Sequence, residues 1–294
     1  MLNYLLLNKF EIKSIFVILY LNIIDGIKNY MTNNSRILDQ FYTKPKIAKY
    51  CFDKAIEIIQ KEGITFTKYL EPSAGTGSFY TMLPANKLGI DLDPKINEVI
   101  KADFLTYSDL TDIYFTIGNP PFGKNSNLAI KFFNKCATVS IAIGFIVPKT
   151  FKKNSVKSKL DPYFHLIFEQ DLPTNSFEFK GSDKDVPCVF QIWIKKSEKR
   201  NNIDKLFTDD FCFVKDREGA DFAFQRVGVN AGKIKDIDSL ISSSSHYFIK
   251  MKKENVRKIL EDVDWNTVKH NTAGNPSISK QELISLYTNG GITK

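Results

Sequence analysis

The stretch of sequence that decides the fold is YLEPSAGTGSF, residues 69–79. Its apolar start is typical of a buried strand that ends at Leu70, and the Gly-rich turn that follows is expected to lead into a helix. Gly75 and Gly77 let the backbone approach a ligand closely, because a Cβ atom at either position would be in the way. The turn is not a Walker loop, since no Gly-Lys-Ser/Thr follows, and Tyr80 replaces the third glycine of the dinucleotide pattern.

Strand and helix patterns alternate on both sides of this turn. Helical spacing runs from Pro45 to Gly63 and is expected again at Asn127–Val139 and Thr150–Leu160. Further apolar strand candidates end at Ile90, Ile117, Val147 and Phe168, and Pro187–Ile194 reads as one more buried strand. This alternation predicts an α/β, Rossmann-like fold with a mostly parallel sheet and helices on both faces.

The alternation stops after Lys195. A strand at His246–Met251 and a helix at Lys252–Asp262 are the clearest elements of the remainder. We therefore place a domain boundary near residues 196–205, which separates a domain of residues 31–197 from a small α+β region of residues 198–294.

The first thirty residues contain an apolar run, Ile15–Ile24. This run is shorter than the roughly 20 residues that a membrane-spanning helix needs, and no small-residue cleavage site follows it. We favour Met31 as the true start, with residues 1–30 as an N-terminal extension. A membrane-surface anchor is the alternative, and stable membrane insertion is not expected.

Acidic residues follow two further strand candidates. Asp91 lies in GIDLDP, residues 89–94, and Asp103 precedes Phe104 in the segment ADF. Together with Glu71, these carboxylates are expected at the carboxyl edge of one parallel sheet, where they form a single crevice. Asp91 suits ribose hydroxyls, and Asp103 with Phe104 suits the amino edge and the face of an adenine. An adenosyl ligand without phosphates fits these groups best.

A second turn, TIGNPPFG at residues 116–123, follows the strand that ends at Ile117. Its two consecutive prolines lock the backbone and remove two hydrogen-bond donors. We expect the carbonyl groups of this turn to face outward as fixed acceptors.

These motifs resemble the S-adenosylmethionine-dependent amino methyltransferases of the gamma arrangement, and most of all the N6-adenine DNA methyltransferases. The likeness covers roughly residues 39–195, and its most specific element is the Asn-Pro-Pro-Phe turn. The segment DQFYTKP, residues 39–45, is also similar to the N-terminal motif of this family. The likeness implies a Rossmann-like methyltransferase sheet that binds S-adenosylmethionine, with a small C-terminal recognition region. The cofactor contacts that it implies are Phe41, Tyr42, Thr43, Glu71, Pro72, Ser73, Gly75, Gly77, Asp91, Asp103, Phe104 and Asn119.

The likeness also implies the catalytic groups: Asn119, Pro120, Pro121 and Phe122. The side-chain oxygen of Asn119 and the carbonyl of Pro120 would accept the two N–H bonds of the target amine, which frees its lone pair. Phe122 would stack on an adenine flipped out of the duplex. Phenylalanine departs here from the commoner tyrosine of the family but keeps the aromatic face.

The net charge of +8 can be assigned to one part of the chain. Eight lysines and no acidic residue lie between Asp112 and Asp161, so the remaining residues sum to zero. A local positive field of this kind is typical of a site for a polyanion, here most readily double-stranded DNA. The predicted phosphate contacts are Lys124, Lys149, Lys152 and Lys153. Arg217 and Arg226 are the candidate base readers, and Gly181–Asp185 resembles the variable target-side loop of the family.

Cysteine and histidine usage gives no sign of a disulfide or a metal. The four cysteines contain no C-x-x-C pair, and His165, His246 and His270 are far apart in the sequence. We expect a protein without a metal in a reducing compartment, the cytoplasm, or the host cytoplasm if the source is viral.

Other planar amines remain possible targets. The alternatives are an RNA methyltransferase acting on adenine N6 or guanine N2, and a protein methyltransferase acting on the glutamine amide. A non-catalytic methyltransferase-like subunit is disfavoured, since every motif is intact. The sequence leaves open the target site and the existence of a restriction or specificity partner.

Overall fold

The computed structural model describes residues 41–179, 181–201, 205–238, 241–272 and 274–290. The expectations about Met31 and about the apolar run in residues 1–30 lie outside these ranges. Within them, no helix combines the length and the apolar character that crossing a membrane requires.

The described chain begins with a two-residue strand, β1 (Tyr42–Thr43), and a long helix, α1 (Pro45–Lys61), which confirms the predicted helix. Pro45 takes the first helical position, where its missing N–H costs nothing. Gly63 adopts a φ of +65° just after the helix and donates to the Gln60 carbonyl. One face of the helix is buried, and it includes Ala48, Cys51 and Ala55.

Seven strands form the central sheet, in the order β4-β3-β2-β5-β6-β10-β7. Their bounds are β2 (Lys68–Glu71), β3 (Lys87–Asp91), β4 (Ile100–Lys101), β5 (Tyr114–Gly118), β6 (Ser140–Pro148), β7 (Phe164–Asp171) and β10 (Cys188–Lys195). Strand β10 is antiparallel to both of its neighbours, and the other six strands run in one direction. The predicted mostly parallel sheet is therefore confirmed.

Both faces of this sheet are buried. Along β10, Phe190 and Ile192 pack on the face covered by α1, while Val189 and Trp193 pack on the opposite face. The opposite face is covered by α2 (Asn127–Ala137) and by the short α3 (Asn154–Lys157). Burial on both faces explains why β10 is apolar at almost every position.

The predicted helix after the Gly-rich turn is wrong. A single 3₁₀ turn, Tyr80–Met82, occupies this place. Gly75 and Gly77 both have positive φ values, of 52° and 85°, and Pro84 disfavours helical geometry at Leu83. The chain between Gly77 and Pro84 is therefore too short for an α-helix.

The predicted helix at Thr150–Leu160 is confirmed only in part. A 3₁₀ turn, Lys149–Lys152, is followed by α3, and the two are separated by Lys153 in an extended conformation.

A small three-stranded sheet lies beside the central one, in the order β1-β8-β9. Strand β8 (Phe177–Phe179) and strand β9 (Ser182–Lys184) form a hairpin, and β8 pairs antiparallel with β1. The predicted target-side loop, Gly181–Asp185, is thus largely the second strand of this hairpin.

The C-terminal part has its own antiparallel sheet, in the order β11-β14-β12-β13. The bounds of its elements are β11 (Phe211–Val214), β12 (Phe222–Gln225), β13 (Ile234–Lys235), β14 (His246–Met251), α4 (Val256–Asp262), α5 (Asn266–Lys269) and α6 (Lys280–Thr288). Phe222, Trp265 and Leu283 pack in a core of its own. The predicted strand at His246–Met251 is confirmed, whereas the predicted helix at Lys252–Asp262 begins only at Val256. The proposed domain ranges stay a prediction.

An ion pair joins the C-terminal part to the central sheet. Lys153 Nζ lies 3.1 Å from Glu282 Oε2 and donates to the Ser277 carbonyl at 3.0 Å. The two charged side chains are only 11% and 15% exposed. Glu282 also accepts from the Ser279 backbone N–H in the capping box of α6. The loop after β6 is thereby fixed to the start of the last helix.

We expect Lys153→Ala to lower the free energy of unfolding by roughly 3 kcal/mol, because Glu282 is left nearly buried without its cation. Urea denaturation measures the change. Lys49→Ala is the matched control, since its pair with Asp53 is 68% and 57% exposed and is expected to contribute under about 1 kcal/mol. Equal destabilisation by the two substitutions would contradict this account of the ion pair.

Candidate active site

Most of the predicted cofactor residues line one cavity of about 260 Å³ at the carboxyl edge of the parallel strands. The predicted residues in its wall are Phe41, Tyr42, Pro72, Ser73, Gly75, Asp91, Asp103, Phe104 and Asn119. Thr43 and Gly77 instead line a neighbouring cleft, which shares Tyr42 with the cavity. Glu71 lines neither and is buried at the end of β2.

Sequence reasoning missed several residues in the wall of the cavity. Leu92 is half exposed there, and it could have been found because it follows Asp91 directly. Leu128 and Phe132 come from α2, and their sequence pattern indicates only a buried helix face.

The carboxylate of Asp91 holds the Gly-rich turn in place. Its Oδ2 accepts from the Gly75 backbone N–H at 2.7 Å, and its Oδ1 accepts from Asp93 N–H at 2.8 Å. A Cβ atom on Gly75 would lie 3.2 Å from the Tyr42 ring, and one on Gly77 would lie 2.0 Å from Ile96 Cδ1. Both positions are tightly packed, and their positive φ values are what favour glycine there.

Asp103 and Phe104 lie at the other end of the cavity. Asp103 Oδ1 accepts from the Leu105 backbone N–H at 2.9 Å, which orients the carboxylate. The Phe104 ring packs against Phe132, with 5.3 Å between ring centroids. This end of the cavity thus offers a fixed carboxylate beside aromatic carbon.

Asn119 is held by two hydrogen bonds at the end of β5. Its Nδ2 donates to the Phe41 carbonyl at 2.9 Å, and its backbone carbonyl accepts from Ser73 Oγ at 3.1 Å. Its Oδ1 is buried and has no hydrogen-bond partner among the described residues. A buried acceptor without a donor costs about 1–3 kcal/mol. Asn119 Oδ1 therefore marks a place where a ligand donor would be stabilised.

The other residues of the Asn-Pro-Pro-Phe turn differ in their placement. Pro121 lines the cavity, and Pro120 is buried. Phe122 is only 8% exposed, and its ring packs into the core on the α1 face. Its carbonyl accepts from the N–H groups of Leu128 and Ala129 at the start of α2. The structure does not bring Phe122 into the cavity wall, so its stacking on a base stays a prediction.

Glu71 is a buried carboxyl group next to Gly118, which precedes the Asn-Pro-Pro-Phe turn. Burial raises the pKa of Glu71 well above its ordinary value, a hydrogen bond from the Tyr80 backbone lowers it, and nearby Asp91 raises it further. Glu71 Oε2 has no hydrogen-bond partner among the described residues. A Cβ atom on Gly118 would lie 3.3 Å from Glu71 Cγ, so the two groups are in close contact.

The lysines predicted to contact phosphate do not form a bare positive field. Lys149 Nζ lies 2.7 Å and Lys152 Nζ lies 2.5 Å from Asp171, and Lys153 is paired with Glu282. Asp171 belongs to β7, outside the segment without acids. The count of eight lysines stands, but acids from outside the segment offset part of its positive charge. Lys124 is exposed, shortly after the Asn-Pro-Pro-Phe turn.

The two candidate base readers donate to backbone carbonyls nearby. Arg217 donates to Asp238 at 3.1 Å. Arg226 donates to Ser244 at 2.8 Å and lies over the Tyr247 ring, 5.3 Å from its centroid. Their roles in base recognition stay predictions.

The described ranges show no evident metal site, and three of the four cysteines are buried in them. They contain no group of three or more His, Cys, Asp or Glu side chains that could hold a metal ion. Cys51, Cys136 and Cys188 are buried and free, and burial raises the pKa of each thiol.

We expect Glu71→Gln to make the protein more stable than the wild type above pH 5, by a margin that grows with pH. A carboxyl group whose pKa is raised by folding stabilises the fold while it is protonated, and this contribution is lost as the pH rises from its ordinary value of 4.5 through its folded value. Melting temperatures between about pH 5 and pH 8 measure the effect. Glu62→Gln, at an exposed position, is the control. Parallel pH profiles for wild type and Glu71→Gln would show that Glu71 is ionised in the fold.

Comparison with known proteins gives a likeness of fold. No protein-family model and no curated protein matches the chain. A Pyrococcus horikoshii protein classed as an RNA methyltransferase is 14% identical, with 54% of this chain and 87% of that one covered and a TM-score of 0.41. A Thermoplasma acidophilum protein is 18% identical, with 56% and 97% covered and a TM-score of 0.39. The 23S rRNA methyltransferase ErmE is 15% identical, with 54% and 71% covered and a TM-score of 0.38. The order and directions of the strands carry the fold class, which is an α/β, Rossmann-like one with a mostly parallel sheet.

Proposed function

We propose that this chain is an S-adenosylmethionine-dependent methyltransferase that acts on the exocyclic N6 amine of adenine in DNA. The observation that carries the proposal is the orientation of Asn119. Its Oδ1 is buried beside a cavity with two suitable carboxylates and has no partner in the part of the chain that the structure describes, while its Nδ2 donates to the Phe41 carbonyl. An amine with two N–H bonds supplies the missing donor.

The cavity fits the adenosyl part of the cofactor. Asp91 ends β3, where ribose hydroxyls bind in folds of this kind. Each oxygen of Asp91 accepts one backbone N–H and keeps a further lone pair for a hydroxyl. Asp103 and Phe104 would hold the adenine, and Ser73 and Gly75 would lie beside the methionine part. The wall offers carboxylates and no lysine or arginine, which suits a ligand without phosphates.

The residues of the turn act on the target amine. The lone pair of an amine on a purine is delocalised into the ring, which makes the nitrogen a poor nucleophile. Asn119 Oδ1 and the Pro120 carbonyl would accept its two N–H bonds and draw the nitrogen toward tetrahedral geometry. When bound, S-adenosylmethionine supplies an electrophilic methyl group, so that an N–C bond forms while the C–S bond breaks and its electron pair stays on sulfur. The amide of Asn119 is not a base, so the proton released by the amine passes to water.

Nucleic acid as the substrate is supported by the exposed Lys124 beside the turn and by the additional C-terminal part. The ion pairs of Lys149, Lys152 and Lys153 weaken the support that sequence counting offers. The identity of the target is therefore the first matter to test.

The test is incubation of the full chain with methyl-labelled S-adenosylmethionine and, separately, duplex DNA, RNA or protein. Digestion and chromatography then identify the labelled product. We expect N6-methyladenine in the DNA. Label in RNA alone, or on glutamine alone, would assign one of the alternative substrates, and no label in any arm would refute the proposed function.

We expect Asn119→Ala to lower the turnover number by about 10²–10³-fold, since one preorganised acceptor of the reacting amine is lost. Single-turnover methyl transfer measures the change. Asn201→Ala, at an exposed position in the described chain, is the control. Near-normal turnover in Asn119→Ala would exclude Asn119 from the chemistry.

We expect Lys124→Gln to reduce the slope of log affinity against log salt concentration by about 1, because one phosphate contact is lost. Lys153→Gln is the comparison, since Lys153 is paired with Glu282 and its loss should leave the slope unchanged. Fluorescence anisotropy with a labelled duplex gives both slopes. A change in slope only for Lys153→Gln would place the nucleic acid at the loop after β6 and not at Lys124.

A further inference from the structure

The orientation of the Asn119 amide is set from outside the central sheet. The oxygen and nitrogen ends of an asparagine amide have nearly the same shape, so packing alone cannot choose between them. The Phe41 carbonyl can only accept a hydrogen bond, and it lies 2.9 Å from Asn119 Nδ2. A rotated amide would place two oxygen atoms against each other. The Phe41 carbonyl thus keeps Asn119 Oδ1 as the free acceptor.

Phe41 directly precedes β1, which has a single strand partner in the described sheets, β8 of the hairpin. Tyr42 pairs with Glu178 and Thr43 pairs with Phe177. A strand of two residues has little stability of its own. The hairpin supplies its strand pairing, and the hydrogen bond from Ser78 Oγ to the Thr43 carbonyl at 2.6 Å holds its other side.

Side chains of the hairpin strengthen this connection. The ring of Phe179 packs against the ring of Phe41, with 6.0 Å between centroids and 50° between planes. Asp183 Oδ1 lies 2.7 Å from Lys44 Nζ, at the other end of β1. The hairpin thus contacts the residue before β1 and the residue after it.

We propose that the hairpin of β8 and β9 positions the catalytic amide, with Phe179 and Asp183 as positioning residues that act on Asn119 through β1 and the Phe41 carbonyl. This inference rests on the proposed function, and it assigns a role to a segment whose described residues contribute no group to the cavity wall of about 260 Å³. The hairpin keeps an acceptor aimed at the amine, and it does not touch the reacting atoms.

The first test is a double-mutant cycle on the full chain. We expect Phe179→Ala to lower the single-turnover rate by roughly 10–100-fold, because misplacement of a catalytic group has an effect of this size. Phe179→Leu should recover most of the rate. In the Asn119→Ala background, Phe179→Ala should change the rate by less than about twofold, since the group on which it acts is gone.

The control is Phe207→Ala, which also removes an aromatic ring but at a position 82% exposed in the C-terminal part. Asp183→Asn is the milder second variant, and it serves if Phe179→Ala does not fold. It should lower the rate in the same direction and by a smaller factor. Independent, multiplicative effects of Phe179→Ala and Asn119→Ala would overturn the inference, because a merely structural role for the ring predicts them.

The second test needs no catalysis. The side-chain amide of Asn119 gives a pair of nitrogen-correlated proton resonances, which can be assigned by their loss in Asn119→Ala. We expect Phe179→Ala and Asp183→Asn to shift these resonances and to speed their exchange with water, and Phe207→Ala to leave them in place. Unchanged resonances in both hairpin variants would overturn the inference. If the protein methylates none of the substrates but its hairpin variants show these shifts, the proposed function is refuted. The positioning of Asn119 by the hairpin then still holds.

Discussion

Six strands of the central sheet run in one direction, so their carboxyl ends meet at a single edge. This constraint brings together residues that are far apart in the sequence. Asp91 ends β3, and Asn119 follows the end of β5. The antiparallel β10 separates β6 from β7 and carries none of these groups, but it completes the buried centre of the sheet. The cavity, the Asn-Pro-Pro-Phe turn and the loop after β6 all depend on this shared direction.

Local patterns were enough to predict much of the fold. Helix α1 is marked by Pro45 at its start, Gly63 after its end and a regular apolar face between them. Strand β10 is marked by a run that is apolar from Cys188 to Ile194 except at Gln191. The acids at strand ends were also predictable from local patterns. Asp91 is the last residue of a parallel strand, so it must lie at the carboxyl edge of the sheet.

Other features depend on contacts between distant segments and could not be predicted. The sequence places Phe122 in a turn where its ring could stack on a base. In the fold the ring is buried in the core on the α1 face. The 3₁₀ turn at Tyr80–Met82 depends on how little chain remains between two glycines and Pro84. The charge of the lysine-rich segment is the clearest case. It is offset by Asp171 and Glu282, which lie outside the segment and meet it only after folding.

The short crossover between β2 and β3 has a thermodynamic consequence. Without an α-helix, residues 72–86 cover their side of the sheet with turns, and their order depends on a few contacts such as the bond from Gly75 to Asp91. Segments of this kind open at a smaller free-energy cost than the core strands. A ligand that binds only the closed form stabilises it in proportion to the logarithm of its concentration. The proposed cofactor would thus act as a structural element on this side of the sheet, and the rigidity of the Gly-rich turn would depend on the concentration of that ligand.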